Sequence, residues 1–223
     1  MRSMQFEPKL VILDFDGTLV EFPRDFLFEQ ALRIVRHLEH PAVERSLLEE
    51  CFADFDFFRF VSHTNAPGFI ELFWQHFDWA GYPQCALLEG AAEFCSFLRT
   101  AGVPMALATA RIGTEAVLLD SLEYTGLSAH FHCLAGRCGE HQDWQDKVPQ
   151  IRHVCERVGV SPADAMIVGD IPADIISARA AGVGYSVAVL SGGIRRAVLE
   201  RTQPDLIVEG VHELLGFFQA KRP

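Results

Sequence analysis

The sequence predicts an α/β protein with a Rossmann-like, mostly parallel sheet core, helices on both faces and an inserted all-helical cap. Two observations predict this class. Short, continuous apolar runs end in turn residues and alternate with helical patterns, as in parallel sheets covered on both sides. One long stretch near the start of the chain breaks that alternation and contains helical patterns only.

The first apolar run, Leu10 to Leu13, is followed directly by Asp14 and the Asp-Gly pair at 16 and 17. A short apolar run that ends in turn residues is typical of a buried parallel strand. Further strands are expected at 103–109, 131–135, 165–168, 185–190 and 206–208. Helical patterns between them are expected at 91–100, 113–124, 148–158 and 174–181.

The insertion lies between the first strand and the rest of the sheet. Three helices are expected within it, at 25–40, 42–62 and 67–80, and positions 43, 47, 51, 55 and 58 form one apolar face of the second. We therefore expect a catalytic core of residues 1–20 and 84–223 and a helical cap of residues 21–83. The cap is rich in phenylalanine and tryptophan, most of which should pack its own core.

Composition excludes several classes of function. The net charge of −11 opposes binding to a phosphate backbone, so we expect no nucleic-acid partner. No apolar run is long enough for a membrane helix, and the first residues lack a signal-peptide pattern. The 6 cysteines are scattered rather than paired, which indicates reduced thiols in a cytoplasmic protein. We expect a monomer or a homodimer.

Polar residues collect where the predicted strands end, which is where open α/β sheets bind their ligands. They are Asp14, Asp16, Thr109, Asp170 and Asp174, with Lys147 before the helix that leads to the fourth strand. Clustered carboxylates repel one another unless a cation joins them. Oxygen ligands without paired histidine or cysteine favour a hard ion, so the sequence predicts a Mg²⁺ site.

In this order the residues resemble the four motifs of the haloacid dehalogenase superfamily. Asp14-Phe15-Asp16-Gly17-Thr18 is similar to the first motif, Thr109 to the second, Lys147 to the third, and Gly169-Asp170 with Asp174 to the fourth. The resemblance spans nearly the whole chain, and a helical cap between the first two motifs is typical of its phosphoglycolate-phosphatase-like branch. It implies a Mg²⁺-dependent phosphatase that hydrolyses a small phosphorylated metabolite through an aspartyl phosphate.

The resemblance also implies roles for single residues. Asp14 would be the nucleophile, and Asp16 the general acid and then the general base. Asp14, the backbone carbonyl of Asp16 and Asp170 would bind Mg²⁺, with Asp174 supporting the site from behind. Thr109 and the backbone N–H of Ala110 would hold phosphate oxygens. Lys147 would neutralise Asp14 and the phosphoryl group.

Two other functions stay open at this point. A phosphosugar mutase of the same superfamily would share Asp14 and Asp16, and a non-catalytic binding protein could use the same fold. Arg111 follows Thr109 by two residues and is interpreted as an ordinary loop residue, with a place at the phosphate edge as the less favoured alternative.

Overall fold

The computed structural model describes residues 6–38, 43–64, 69–78, 81–112, 115–137 and 145–219. It divides the chain into two compact units, Met1–Glu21 with Ala86–Pro223, and Phe22–Cys85. We call the first the sheet unit and the second the helical unit. The expected cap, residues 21–83, differs from the helical unit by one residue at its start and two at its end.

The sheet unit contains a six-stranded parallel sheet in the order β3-β2-β1-β4-β5-β6. Its strands are β1 (Leu10–Leu13), β2 (Met105–Ile112), β3 (Phe131–Arg137), β4 (Ala165–Gly169), β5 (Tyr185–Val189) and β6 (Leu206–Val208). The α/β class and the parallel sheet are thereby confirmed. Strand β1 lies between β2 and β4, and its four side chains are completely buried.

Helices connect the strands of this sheet. They are α5 (Ala91–Thr100), α6 (Glu115–Tyr124), α7 (Val148–Val158), α8 (Pro172–Ala181), α9 (Arg196–Arg201) and α10 (Val211–Gln219), with short 3-10 turns at Ser128–His130 and Pro162–Asp164. One face of the sheet packs Leu10 and Ile12 of β1 against Ile151 and Val154 of α7. Both α7 and α8 carry proline in their first turn and end at a glycine in the left-handed conformation. These residues are typical of helix starts and helix ends, respectively.

The helical unit contains α1 (Arg24–His37), α2 (Arg45–Ala53), α3 (Phe57–Thr64) and α4 (Phe69–Gln75). Its core is aromatic, as expected: Phe52 stacks on Phe22 with ring centroids 5.1 Å apart, and Phe60 meets Phe69 at 5.3 Å. The expected helix limits at positions 40, 42, 67 and 80 lie outside the described residues.

The expectation of one helix over 42–62 is wrong. The chain breaks between α2 and α3, where Phe55 adopts the left-handed conformation with φ 54° and Asp56 accepts a hydrogen bond from the Arg59 N–H at 3.0 Å. Because the helix is interrupted here, the apolar positions after the break no longer continue the face formed by those before it. Leu48, Cys51, Phe52 and Phe60 are buried, whereas Phe58, which the pattern placed on the apolar face, is 71% exposed.

A second difference concerns β2, which runs to Ile112 instead of ending at position 109. Its pairing with β3 shifts register between Met105 and Ala106, is regular from Ala106 to Ala108, and resumes at Ile112. An irregular segment therefore carries residues 109–111 within the strand. In the described part of the chain, no helix combines the length and apolarity needed to cross a membrane.

The packing of α5 on α10 allows a test of this core. Phe94 is fully buried, and its ring centroid lies 5.8 Å from that of Phe218. We expect Phe94→Ala to lower the free energy of unfolding by about 3–5 kcal/mol, because it removes a buried ring and leaves a cavity. Urea unfolding measures this. Tyr124→Ala, at a ring that is 63% exposed, is the control; equal losses from both variants would contradict the packing.

Candidate active site

The carboxyl ends of β1 and β4 lie side by side at the centre of the sheet. Leu13 pairs with Val168, and the Asp14 N–H donates to the Val168 carbonyl at 2.9 Å. From β1 the chain builds the sheet outward in one direction through β2 and β3 and in the other through β4 to β6. Open α/β sheets bind ligands where their strand order reverses, and here Asp14 and Asp170 follow the two strands at that point.

Three carboxylates meet at this point of the sheet. Asp14, Asp170 and Asp174 are buried, and each offers one oxygen that lies within 4.8 Å of those of the other two. Asp14 and Asp170 extend from strand ends, whereas Asp174 comes from the first turn of α8. The structure thus brings together three of the four acids that the sequence singled out.

Lys147 supplies the positive charge inside this cluster. Its Nζ lies 2.9 Å from Asp14 Oδ2 and 2.6 Å from Asp174 Oδ1, and the side chain is completely buried. Lys147 is the residue before α7, and its backbone N–H donates to the Ser177 hydroxyl of α8 at 2.9 Å. Burial acts to lower the pKa of Lys147, but the charges of Asp14 and Asp174 outweigh burial and raise it.

Asp174 has both carboxylate oxygens engaged. Oδ1 accepts from Lys147, and Oδ2 accepts from the backbone N–H of Ile171 at 3.1 Å, which closes the first turn of α8. Burial raises the pKa of Asp174 to about 6, with Lys147 acting in the opposite direction. A β-carbon on Gly169 would clash with the Asp174 carboxylate, so the glycine lets this side chain approach the end of β4.

Asp170 lies in a narrow space between two backbone segments. A β-carbon on Gly17 or on Gly192 would clash with its carboxylate, and the Thr18 hydroxyl donates to its Oδ1 at 3.3 Å. Ser191 joins the two segments, since its hydroxyl donates to the Gly17 carbonyl at 2.6 Å. Burial, followed by repulsion from Asp14 and Asp174, raises the pKa of Asp170 well above its ordinary value.

The cluster fits a hard divalent cation. Asp14 Oδ1 is buried and accepts no hydrogen bond from the residues that the structure describes. A buried carboxylate oxygen without a partner is costly, and one ammonium group faces three carboxyl groups here. Asp14 and Asp170 offer oxygen atoms of the kind that Mg²⁺ prefers. Both oxygens of Asp174 are already engaged, so this residue fits the role that the resemblance implied for it, which is to support the metal site from behind.

Thr109 and Ala110 lie one strand away, within β2 rather than after it. Leu107 pairs with Leu13, so Thr109 lies one residue beyond the level of Asp14 at the same edge. The Thr109 side chain is buried, and its hydroxyl accepts from the backbone N–H of Arg111 at 3.2 Å.

Asp16 does not join the acid cluster with its carboxylate. Both of its oxygens pair with the guanidinium of Arg111, at 3.0 Å from Nε and 2.5 Å from Nη2. The sequence interpretation of Arg111 as an ordinary loop residue missed this pair. The available signal was its place two residues after Thr109, at the edge where Asp16 also lies.

The family model of the haloacid dehalogenase-like hydrolases matches residues 8–182. The chain is 28% identical over 199 residues to a phosphoglycolate phosphatase of Cupriavidus necator, covering 82% of this chain and 81% of the relative. It is also 26% identical over 220 residues to the tyrosine-protein kinase PtkA of Mycobacterium tuberculosis, covering 94% of this chain and 73% of the relative.

Solved structures share the fold. The crystal structure of a predicted phosphatase from Clostridium acetobutylicum superposes with a TM-score of 0.74 at 20% identity, covering 96% of this chain and 99% of the other. The family model matches well over half of the chain, in a range that includes Asp14, Lys147 and Asp170. On these grounds the chain belongs to the haloacid dehalogenase-like hydrolases.

Proposed function

We propose that this enzyme is a Mg²⁺-dependent phosphatase that hydrolyses a small phosphorylated metabolite through an aspartyl phosphate on Asp14. The environment of Asp14 carries the proposal. One of its oxygens pairs with the buried Lys147, and the other has no hydrogen-bond partner among the described residues. A carboxylate held at one oxygen and open at the other is suited to act as a nucleophile.

In the first half of the reaction, an oxygen of Asp14 forms a bond to phosphorus as the bond to the ester oxygen breaks. Lys147 stabilises the negative charge that accumulates between Asp14 and the phosphoryl group. Asp14, Asp170 and the backbone carbonyl of Asp16 would hold the metal. A bound Mg²⁺ supplies positive charge that offsets repulsion between the carboxylate and the phosphoryl oxygens.

Asp16 donates a proton to the departing ester oxygen and then accepts one from the water that releases phosphate from Asp14. Thr109 and the N–H of Ala110 hold phosphoryl oxygens. Because the Thr109 oxygen accepts from the Arg111 N–H, its own hydrogen is free to point elsewhere. Asp174 holds Lys147 in place and does not contact the phosphoryl group.

We assign substrate selection to the helical unit, acting as a cap. The residues placed around Asp14 address only the phosphoryl group and the metal, so they do not distinguish one ester from another. The similarity to phosphoglycolate phosphatases supports a small, phosphorylated substrate. Most described aromatic rings of the helical unit pack on one another, whereas Phe58 is exposed.

The direct test is phosphate release from a panel of phosphorylated metabolites with Mg²⁺ and with EDTA. We expect turnover of one or more members with Mg²⁺ and none with EDTA. Inorganic phosphate as product distinguishes hydrolysis from the mutase alternative, in which the phosphoryl group reappears on a second sugar hydroxyl. Turnover that is insensitive to EDTA would contradict the proposed metal dependence.

Asp14→Asn tests the nucleophile. We expect kcat to fall by at least about 1,000-fold, because the amide cannot form the aspartyl phosphate. Steady-state phosphate release measures the loss, and thermal unfolding verifies the fold. Asp164→Asn is the control, since Asp164 forms a partly exposed ion pair with Lys9 before β1. Activity of Asp14→Asn within tenfold of the wild type would disprove the assignment.

Lys147 and Lys9 form a matched pair for testing the buried ammonium. We expect Lys147→Ala to lower kcat by about 100-fold or more, because Asp14 and the phosphoryl group lose their counter-charge. Lys147→Arg should also be poor, since a planar guanidinium does not fit the place of a compact ammonium. Lys9→Ala, at a side chain that is 69% exposed, should retain full activity. Full activity in Lys147→Arg would show that the site needs only a positive charge at this position and not a compact ammonium.

Asp170→Asn should raise the free energy of unfolding of the metal-free protein at pH 7.5, because it removes a buried carboxylate whose charged form is disfavoured there. The pKa of Asp170 in the folded protein exceeds its ordinary value of 3.8. The folded state therefore binds the proton more tightly than the unfolded chain, and this contribution to stability is lost as the pH rises through the folded-state pKa. Asparagine removes the titrating charge, so the gain should shrink at pH 5.

Urea unfolding in EDTA at the two pH values measures this gain, with Asp164→Asn as the control for removal of a carboxylate outside the site. Excess Mg²⁺ should then stabilise the wild type and leave Asp170→Asn almost unchanged, since a ligand that binds only the folded state raises its stability. An equal gain at both pH values would contradict the raised pKa of Asp170. Equal stabilisation of both proteins by Mg²⁺ would contradict the placement of Asp170 in the metal site.

A further inference from the structure

The contact between Arg111 and Asp16 is a two-pronged ion pair. The guanidinium donates through Nε to Asp16 Oδ2 and through Nη2 to Oδ1, so each carboxylate oxygen receives one N–H. The two side chains are only 8% and 12% exposed. Such a fork-to-fork pair fixes the plane of the carboxylate as well as its distance, which a single hydrogen bond does not.

The guanidinium is itself held on two further sides. Its Nη1 donates to the Ser121 hydroxyl of α6 at 3.0 Å, and that hydroxyl donates to the Val117 carbonyl at 3.3 Å. Its central carbon lies 4.8 Å from the centre of the Phe15 ring. Arg111 is therefore tied to the end of β1 and to α6, and its orientation is set before any substrate binds.

The Arg196–Glu209 pair in the same unit shows the contrast. Its side chains are 47% and 62% exposed, and one guanidinium nitrogen contacts one carboxylate oxygen at 3.0 Å. An exposed pair of this kind contributes little, because water screens it and both side chains retain their freedom. Arg111 is buried and forked, and it holds the residue to which the proposed mechanism gives the proton transfers.

We infer that Arg111 is a positioning residue that aims the Asp16 carboxyl group at the ester oxygen of the substrate. The inference rests on the proposed function. In the first step the P–O bond to the ester oxygen breaks, the Asp14–phosphorus bond forms, and the Asp16 proton passes to the ester oxygen to give the alcohol. In the second step water forms the bond to phosphorus, the bond to Asp14 breaks, and Asp16 takes the proton of the water.

The fork is compatible with both protonation states of Asp16. When one Asp16 oxygen carries the proton, that oxygen keeps a lone pair that accepts from Arg111, so both hydrogen bonds hold the plane of the carboxyl group while the proton faces the ester. Ser121 and Phe15 hold the guanidinium in place. Without Arg111 the Asp16 carboxyl group would lose the contact that fixes its plane, and correctly oriented proton donation would become rarer.

The dependence on leaving group separates this role from a structural one. An alkyl phosphate needs a proton on its departing oxygen, whereas p-nitrophenyl phosphate releases a stable anion without one. We expect Arg111→Ala to lower kcat/KM for an alkyl phosphate by about 10–100-fold and for p-nitrophenyl phosphate by about threefold or less. Arg111→Lys should recover part of the loss, because an ammonium can donate to one Asp16 oxygen.

Two controls accompany the series. Arg196→Ala should leave the ratio of the two kcat/KM values unchanged. In an Asp16→Asn background, Arg111→Ala should cause no further change in that ratio, because the residue it aims has lost its proton-transfer function. Thermal unfolding of each variant verifies that the fold is retained.

An equal loss on both esters, or a further change in the ratio in the Asp16→Asn background, would overturn the inference while leaving the phosphatase assignment intact. Absence of Mg²⁺-dependent turnover of both esters by the wild type would instead overturn the proposed function, and the inference with it.

Discussion

The buried ammonium of Lys147 is the interaction on which the rest of the site depends. Three carboxyl groups lie together at the centre of the sheet, and Lys147 pairs with two of them while completely buried. Buried charges are tolerated only when they are paired and hydrogen-bonded. The ammonium of Lys147 meets that condition through Asp14 and Asp174, while the Lys147 backbone N–H ties the residue to α8. Asp174 meets it through Lys147 and through its bond at the start of the same helix. The charges are thus fixed by the elements that form the core.

Lys147 does not offset all the negative charge of the three acids, and the uncompensated part lies at Asp14 and Asp170. Asp14 keeps one oxygen without a hydrogen-bond partner in the described part of the chain, and burial together with neighbouring acids disfavours the charged form of Asp170. Gly17 and Gly192 leave no room beside Asp170 for a side chain that could relieve this strain. Proteins retain such locally unfavourable arrangements where function requires them. A cation joining these two carboxylates would supply the missing charge.

Much of this architecture could be predicted from the sequence, because its causes are local. Continuous apolar runs and turn residues mark each strand, and parallel pairing brings Asp14 and Asp170 to one edge. The break between α2 and α3 could not be read from apolar spacing, since it depends on the left-handed conformation of Phe55. The Arg111–Asp16 pair joins residues 95 positions apart, and its geometry depends on the irregular end of β2.

Asp14 and Asp16 show how two carboxylates so close in sequence acquire different chemistry. Phe15 separates them, and each faces a different cation. Asp14 shares a compact ammonium with Asp174 and keeps one oxygen open, whereas Asp16 has both oxygens in a guanidinium fork. An ammonium neutralises charge without fixing orientation, which suits a group that must reach phosphorus. A fork fixes orientation, which suits a group that must hand over a proton in one direction. Different environments that give neighbouring carboxyl groups different properties are a general means of dividing catalytic roles. Here a lysine pairs with Asp14 and an arginine with Asp16, and this difference divides their roles.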